Sequence, residues 1–142
     1  MIYCDTSLLV PTLVREAFSE EADAWLASHH FSALAFSGWA DTEVASALAR
    51  KRRAGDLDAD GRTEAAAIWA GISRSMYRLR VEAEDFDASV RLVDAGPRGL
   101  RSGDALHLAI AKRAGLALAT LDRDLADAAE AVGVEVALRP PA

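Results

Sequence analysis

Residues 101–125 read RSGDALHLAIAKRAGLALATLDRDL, and this stretch decides the fold. Ser102 is a suitable N-cap, which sets Asp104 in the first turn of a helix. Lys112 and Arg113 fall in its last turn, and Gly115 stops it. Residues 116–120 are a short apolar run between turn signals, the pattern of a buried strand. Asp122 sits just past that strand's C-terminal end. One acid at a helix start and one at a strand end occupy places where α/β folds build sites.

The rest of the chain repeats the unit. Residues 2–4 are a short apolar strand ending at Asp5, followed by Thr6, Ser7 and an apolar continuation to Pro11. Residues 19–30 read as a helix capped by Ser19, with Glu20, Glu21 and Asp23 in the first turn. Residues 31–36 are a second strand, and a helix starting at Ser37 or Gly38 runs to about Arg53 with Ala40, Val44, Ala47 and Leu48 inside. A helix ending near Met76 places Ala65, Ile68, Trp69, Ile72 and Met76 on one face, as core or as an apolar anchor for a partner. Residues 79–81 are a short strand, and residues 84–94 form an amphipathic helix with Phe86, Val90 and Val93 inside. A helix to Val132 and a strand over 134–138 complete the chain. This alternation predicts a three-layer α/β/α fold, a mainly parallel sheet of four or five short strands between helices. With no repeat, linker or low-complexity stretch, residues 1–142 are expected to form a single domain.

The composition narrows the class. Hydrophobic residues make up 51% and charged residues 27%, which suits a globular chain. No apolar run approaches the roughly 20 residues of a membrane span. The start lacks the features of a signal peptide, and the one cysteine, Cys4, fits a reducing cytoplasm and a place inside the first strand. A net charge of −6 argues against binding nucleic acid by bulk electrostatics. It leaves room for an enzyme whose acids hold a cation, because the ion reverses the local field.

Four acids carry the functional reading. Asp5, Glu43, Asp104 and Asp122 each fall at a strand end, in a first helical turn or on a buried helical face. Glu43 shares the stripe of Ala40 and Ala47, where a carboxylate is costly unless it binds a metal or meets a buried arginine. In a parallel sheet the C-terminal strand edges share one crevice, and carboxylates gathered there repel one another unless a cation neutralises them. Oxygen ligands without a Cys/His cluster indicate Mg²⁺ or Mn²⁺, which suits phosphodiester hydrolysis. Two basic groups flank these acids: Arg50, Lys51, Arg52 and Arg53 end the Glu43 helix, and Arg98 and Arg101 precede the Asp104 helix. The first run reads equally as dipole complementation or as a phosphate-contacting edge.

At this point the chain resembles the PIN-domain ribonucleases, most closely the small VapC-type toxins of bacterial toxin–antitoxin pairs. The resemblance rests on CDTSLLV, the glutamate of SGWADTEVASAL, DALHLAIAKRAG and LATLDRDLADAA, in the family's order over nearly the whole chain. It implies that Asp5, Glu43, Asp104 and Asp122 are metal-binding carboxylates of a ribonuclease, with Ser7 and Thr120 as positioning hydroxyls. It further implies a homodimer and a small antitoxin protein in the groove. The family's spacing after the threonine selects Asp122 over Asp124, which reads as a helix-start residue. His107, one turn after Asp104, reads as a supporting histidine; a metal-bound hydroxide makes a separate general base unnecessary. Two other classes stay open: a catalytically silent partner-binding relative, and another phosphoryl-transfer enzyme such as a phosphatase. The second lacks an acid two residues after Asp5, where Ser7 stands.

Overall fold

In a computed structural model, described over residues 1–96 and 99–142, one or two α-helices separate each strand from the next. The strands are β1 (Ile2–Cys4), β2 (Leu34–Ser37), β3 (Tyr77–Leu79), β4 (Ala117–Ala119) and β5 (Val136–Leu138). The helices are α1 (Thr6–Leu9), α2 (Ser19–Ala27), α3 (Gly38–Ala54), α4 (Ala59–Ser75), α5 (Ala83–Ala95), α6 (Ser102–Ala114) and α7 (Arg123–Ala131). All neighbouring strands pair in parallel in the order β3-β2-β1-β4-β5. The chain therefore fills one half of the sheet before crossing to the other. The crossing leaves a crevice beyond the C-terminal ends of β1 and β4.

Pleating divides the core between the two faces. Cys4, Leu34, Phe36 and Ala119 point toward α1 to α4, where Leu8, Leu26, Val44, Leu48 and Trp69 fill one cluster. Tyr3, Ala35 and Leu118 point the other way, toward Ala105, Leu108, Leu125 and Ala129 of α6 and α7. Every one of these side chains is buried, so the three-layer expectation holds.

Several local expectations shift. Residues 31–33 form a 3-10 turn, and the strand begins only at Leu34. Strand β3 starts at Tyr77, two residues before the expected 79. Ser19 does not cap α2: that place goes to Phe18, at φ 67°, because the Ser19 hydroxyl is buried and donates to the Pro11 carbonyl. Ser102 is the first residue of α6 and Arg101 holds the cap position without a side-chain bond. Trp69 and Met76 belong to the core, which removes them as a partner anchor; Ile68 alone of that face counts as exposed. The Trp69 indole donates to Asp41, which also takes two bonds from Arg78 and so ties α3 to α4 and β3.

Helix α5 is rotated by one residue from the expected register. Phe86, Val90 and Val93 face solvent, while Asp85 and Leu92 face α6. The cause is Asp85, buried beneath the domain surface by Arg113 of α6, whose Nε and Nη2 donate to its two oxygens at 2.7 and 3.0 Å. The same Asp85 accepts from the Glu82 amide in a capping box, so one carboxylate both starts α5 and sets its inward face.

Candidate metal and phosphate site

Strand β1 delivers Asp5 to the crevice, and the backbone N–H of Asp5 still donates to Ala119 of β4. That bond sets Asp5 beside the turn carrying Thr120 and Asp122. The hydroxyls there form a chain with a single direction. Ser7 Oγ donates to Asp5 Oδ1 at 2.8 Å, so the 3.1 Å bond between Ser7 and Thr120 must be donated by Thr120. The Leu121 amide donates to Ser7 Oγ and the Asp122 amide to Thr120 Oγ1. Ser7 and Thr120 thus hold the β4–α7 turn against Asp5. Asp122 caps α7 by accepting from the Leu125 amide through Oδ1, which leaves Oδ2 facing the crevice near Arg101. Asp124 lies in the first turn of α7, as expected of a helix-start residue.

The first turn of α6 enters from the opposite wall. Among the described residues, Asp104 Oδ2 is buried and has no hydrogen-bond donor, with the Arg101 Nε at 3.5 Å as its nearest cation. Gly103 keeps this approach open: a β-carbon there would stand 2.7 Å from Glu43 Oε1, which would have to move. Glu43 reaches across from α3 and is not paired with an arginine among the described residues. Its Oε2 accepts from Thr6 Oγ1 at 2.6 Å and meets His107 Nε2 at 2.6 Å. His107 is buried and does not turn to Asp104; its Nδ1 meets the Tyr3 hydroxyl at 2.7 Å, which also meets Ser37 Oγ at 2.8 Å.

All four acids therefore line one cleft of about 700 Å³, together with Thr6, Ser7, Trp39, Arg50, Lys51, Arg101 and Gly103. Arg52 and Arg53 do not line it; they point to solvent at the end of α3. Lys51 is engaged by Glu16 at 2.7 Å. Arg98 lies outside the described residues. A second groove, between α5, α6 and α7, is mostly apolar and lies away from these carboxylates.

Electrostatics reflect the crowding. Burial pushes Asp5 up to about 6, against the pull of His107 and the Ser7 hydroxyl and with help from Asp104. Burial, then the Asp122 charge, raises Asp104 above the usual carboxylate range. Glu43 goes the other way: burial would raise it, but the His107 and Thr6 hydrogen bonds and nearby positive charge hold it below its ordinary value. Among the described residues no three acids or histidines converge into a ready-made metal cage. The counter-ion here is Arg101, exposed and at 3.5 Å from Asp104 and 3.7 Å from Asp122. The donor set, hard oxygens that include a buried Asp104 oxygen with no donor among the described residues, nevertheless fits a divalent cation.

Reading from the sequence missed Tyr3, Thr6, Trp39 and Gly103. Thr6 was visible beside Asp5. Tyr3 was marked only by its alternation with Cys4, which sends it to the α6 side. Nothing local connects it with a histidine 104 positions away.

The family model of the PIN domain matches residues 2–131. No curated protein sequence matches the chain significantly. Among solved structures, the chain is similar to VapC20 of Mycobacterium tuberculosis, described as a sarcin-ricin loop cleaving toxin. Identity is 21%, with 94% of this chain and 96% of that one covered and a TM-score of 0.71. It is similar to FitAcB of Neisseria gonorrhoeae at 20% identity, with 96% of each chain covered and a TM-score of 0.73. It is also similar to a chain of a toxin–antitoxin complex from Klebsiella pneumoniae at 19% identity, with 89% and 91% covered and a TM-score of 0.64.

Proposed function

From the premise that the chain belongs to the PIN domain family, we propose that it is a Mg²⁺- or Mn²⁺-dependent endoribonuclease, the toxin of a toxin–antitoxin pair. The observation that carries this reading is the crowding itself. Four carboxylates from four separate elements line one cleft, and two of them stay above their ordinary pKa although the exposed Arg101 lies 3.5 Å from Asp104. A fold that needed only stability would not retain such a set. Asp5, Glu43, Asp104 and Asp122 would hold the cation. When bound, it supplies Lewis acidity toward a phosphodiester and favours ionisation of a water. The chain's own part is positioning. Ser7 and Thr120 fix Asp5 and the β4–α7 turn, the α7 cap fixes Asp122, and Gly103 lets α6 close on Glu43. His107 and Asp124 are supporting residues.

An acidic cleft is matched by a basic side chain, and the Klebsiella complex shows a chain of this fold in a toxin–antitoxin assembly. The antitoxin would place arginine or lysine among the carboxylates. The exposed Phe86, Val90 and Val93 stripe on α5 offers an apolar face for a homodimer. Residues 1–142 would act as a single domain in the cytoplasm.

The direct test is incubation of the purified chain with structured and single-stranded RNAs, with Mn²⁺ or Mg²⁺ and again with EDTA. We expect internal cleavage only with metal, and growth arrest on expression that a basic-tailed antitoxin relieves. Absence of both cleavage and arrest would remove the nuclease reading.

Arg50 and Arg101 are the cations best placed to grip such a strand. Both line the cleft together with the acids, and both are exposed. Replacing both with alanine should weaken binding of unrelated RNAs alike, since phosphate contacts position without reading sequence. The slope of log affinity against log salt should flatten by roughly 1.4, about 0.7 for each lost single-strand contact. Filter binding in an Asp104→Asn background measures this without cleavage. The Arg52→Ala, Arg53→Ala pair should leave the slope unchanged, and a slope indifferent to Arg50 and Arg101 would leave them as surface charges.

A further inference from the structure

Behind Glu43 lies a buried polar chain that the fold does not require. Ser37, Tyr3 and His107 are all essentially inaccessible and come from β2, β1 and α6. Each buried hydroxyl or ring nitrogen costs stability unless it is bonded, and apolar side chains of similar volume would fill the space at no such cost. The chain runs Ser37 to Tyr3 at 2.8 Å, Tyr3 to His107 Nδ1 at 2.7 Å, and His107 Nε2 to Glu43 Oε2 at 2.6 Å. It ends on a carboxylate of the cleft.

The order of donors follows from what each group can do. The ionised Glu43 carboxylate only accepts, so Nε2 carries a hydrogen. With the imidazole neutral, Nδ1 accepts, so the Tyr3 hydroxyl gives its hydrogen to Nδ1 and accepts from Ser37. Its phenol stays protonated, because burial drives its pKa far upward. With Thr6 Oγ1 also donating to Oε2, that oxygen is saturated at two bonds of 2.6 Å. Oε1 is left facing the gap that Gly103 keeps open.

We propose that Tyr3 and His107 are positioning residues for Glu43. Tyr3 fixes the tautomer of His107, and His107 anchors Oε2 so that Oε1 is presented to a divalent cation in the cleft. The proposal rests on the metal-nuclease reading only for what Glu43 is aimed at.

Tyr3→Phe removes one oxygen and leaves the ring packing, and is compared with wild type in three measurements. In metal-free protein, the ¹⁵N signals of His107 should show a hydrogen on Nε2 alone in wild type and a mixture of tautomers in the variant. The Mn²⁺ dissociation constant, read by electron paramagnetic resonance, should rise about tenfold, the scale of losing an outer partner of a metal ligand. On RNA, kcat should fall while KM stays near wild type. His107→Gln is a second variant: its amide N–H can still meet Glu43, so its Mn²⁺ affinity should stay nearer to wild type than that of His107→Leu.

Unchanged tautomer or unchanged Mn²⁺ affinity in Tyr3→Phe would overturn the proposal and reduce the chain to core structure, as would a wild type that binds no Mn²⁺. Weakened Mn²⁺ affinity in a protein that cuts no RNA would sustain the proposal while sinking the nuclease reading. Normal cleavage by Tyr3→Phe would do the reverse.

Discussion

Asp104→Asn should lower RNA cleavage by about a thousandfold or more and leave the protein as stable as wild type, or a few degrees more stable. The two halves of this expectation have one origin. Asp104 Oδ2 is buried and receives no hydrogen bond from the described residues, and Asp104 is held above its ordinary pKa by burial and by the Asp122 charge. Such a carboxylate costs the metal-free fold and is useful only to a cation. An amide of the same shape removes the repulsion and can donate to a neighbouring acid, but it is a poor ligand. Thermal melts in EDTA and cleavage assays in Mn²⁺ check both halves. A melting temperature several degrees below wild type would make Asp104 a structural residue of the α6 start and would remove it from the site.

The fold was legible because its information is local. Short apolar runs ending at Asp5 and Thr120, and helices stopped by Gly55 and Gly115 in left-handed backbone, fix an alternation that only a parallel sheet satisfies. Departures occur where a distant side chain decides. Phe86, Val90 and Val93 form an apolar stripe at perfect helical spacing and still face solvent, because Arg113 draws Asp85 inward. Ser19 and Ser102 look like caps, yet one hydroxyl is taken by Pro11 and the other helix starts without a side-chain cap. A local rule ranks caps by what they can bond. It cannot see a competing acceptor eight residues back.

The acids were legible for a related reason: strand ends and first helical turns are marked in sequence, and the topology then carries them to one crevice. Their supports were less so. Glu43 stood out as a carboxylate on an apolar stripe, but its partners, Thr6 and His107, come from two other elements, and neither is the buried arginine that is the alternative to a metal. The basic run at 50–53 shows the limit from the other side. Four consecutive cations at 3.6 residues per turn must point around the helix, and only Arg50 and Lys51 reach the cleft.

Metal-free wild type should lose stability as pH rises from about 4 to 7, relative to Asp5→Asn, by about 3 kcal/mol. Asp5 is fully enclosed and its pKa is pushed from 3.8 up to about 6, chiefly by burial. The native state therefore holds a proton that the unfolded chain releases earlier. The contribution is present in full below the unfolded value and disappears as pH rises through the folded one, the reverse of a salt-bridged carboxylate. Glu43 supplies the reverse case within the same cleft. Its pKa is depressed below 4.5, so its contribution is present at neutral pH and is lost only as the solution becomes more acidic than that. Above about pH 4.5 the two effects separate. Urea unfolding of both proteins in EDTA gives the difference directly, and the amide at position 5 can still accept the Ser7 hydroxyl hydrogen bond. Saturating Mn²⁺ should flatten the wild-type curve, because the ion stabilises the ionised carboxylate that burial penalises. A difference that does not change with pH in EDTA would mean that Asp5 is ionised without cost, and that the crowding read from the cleft is already relieved by the protein itself.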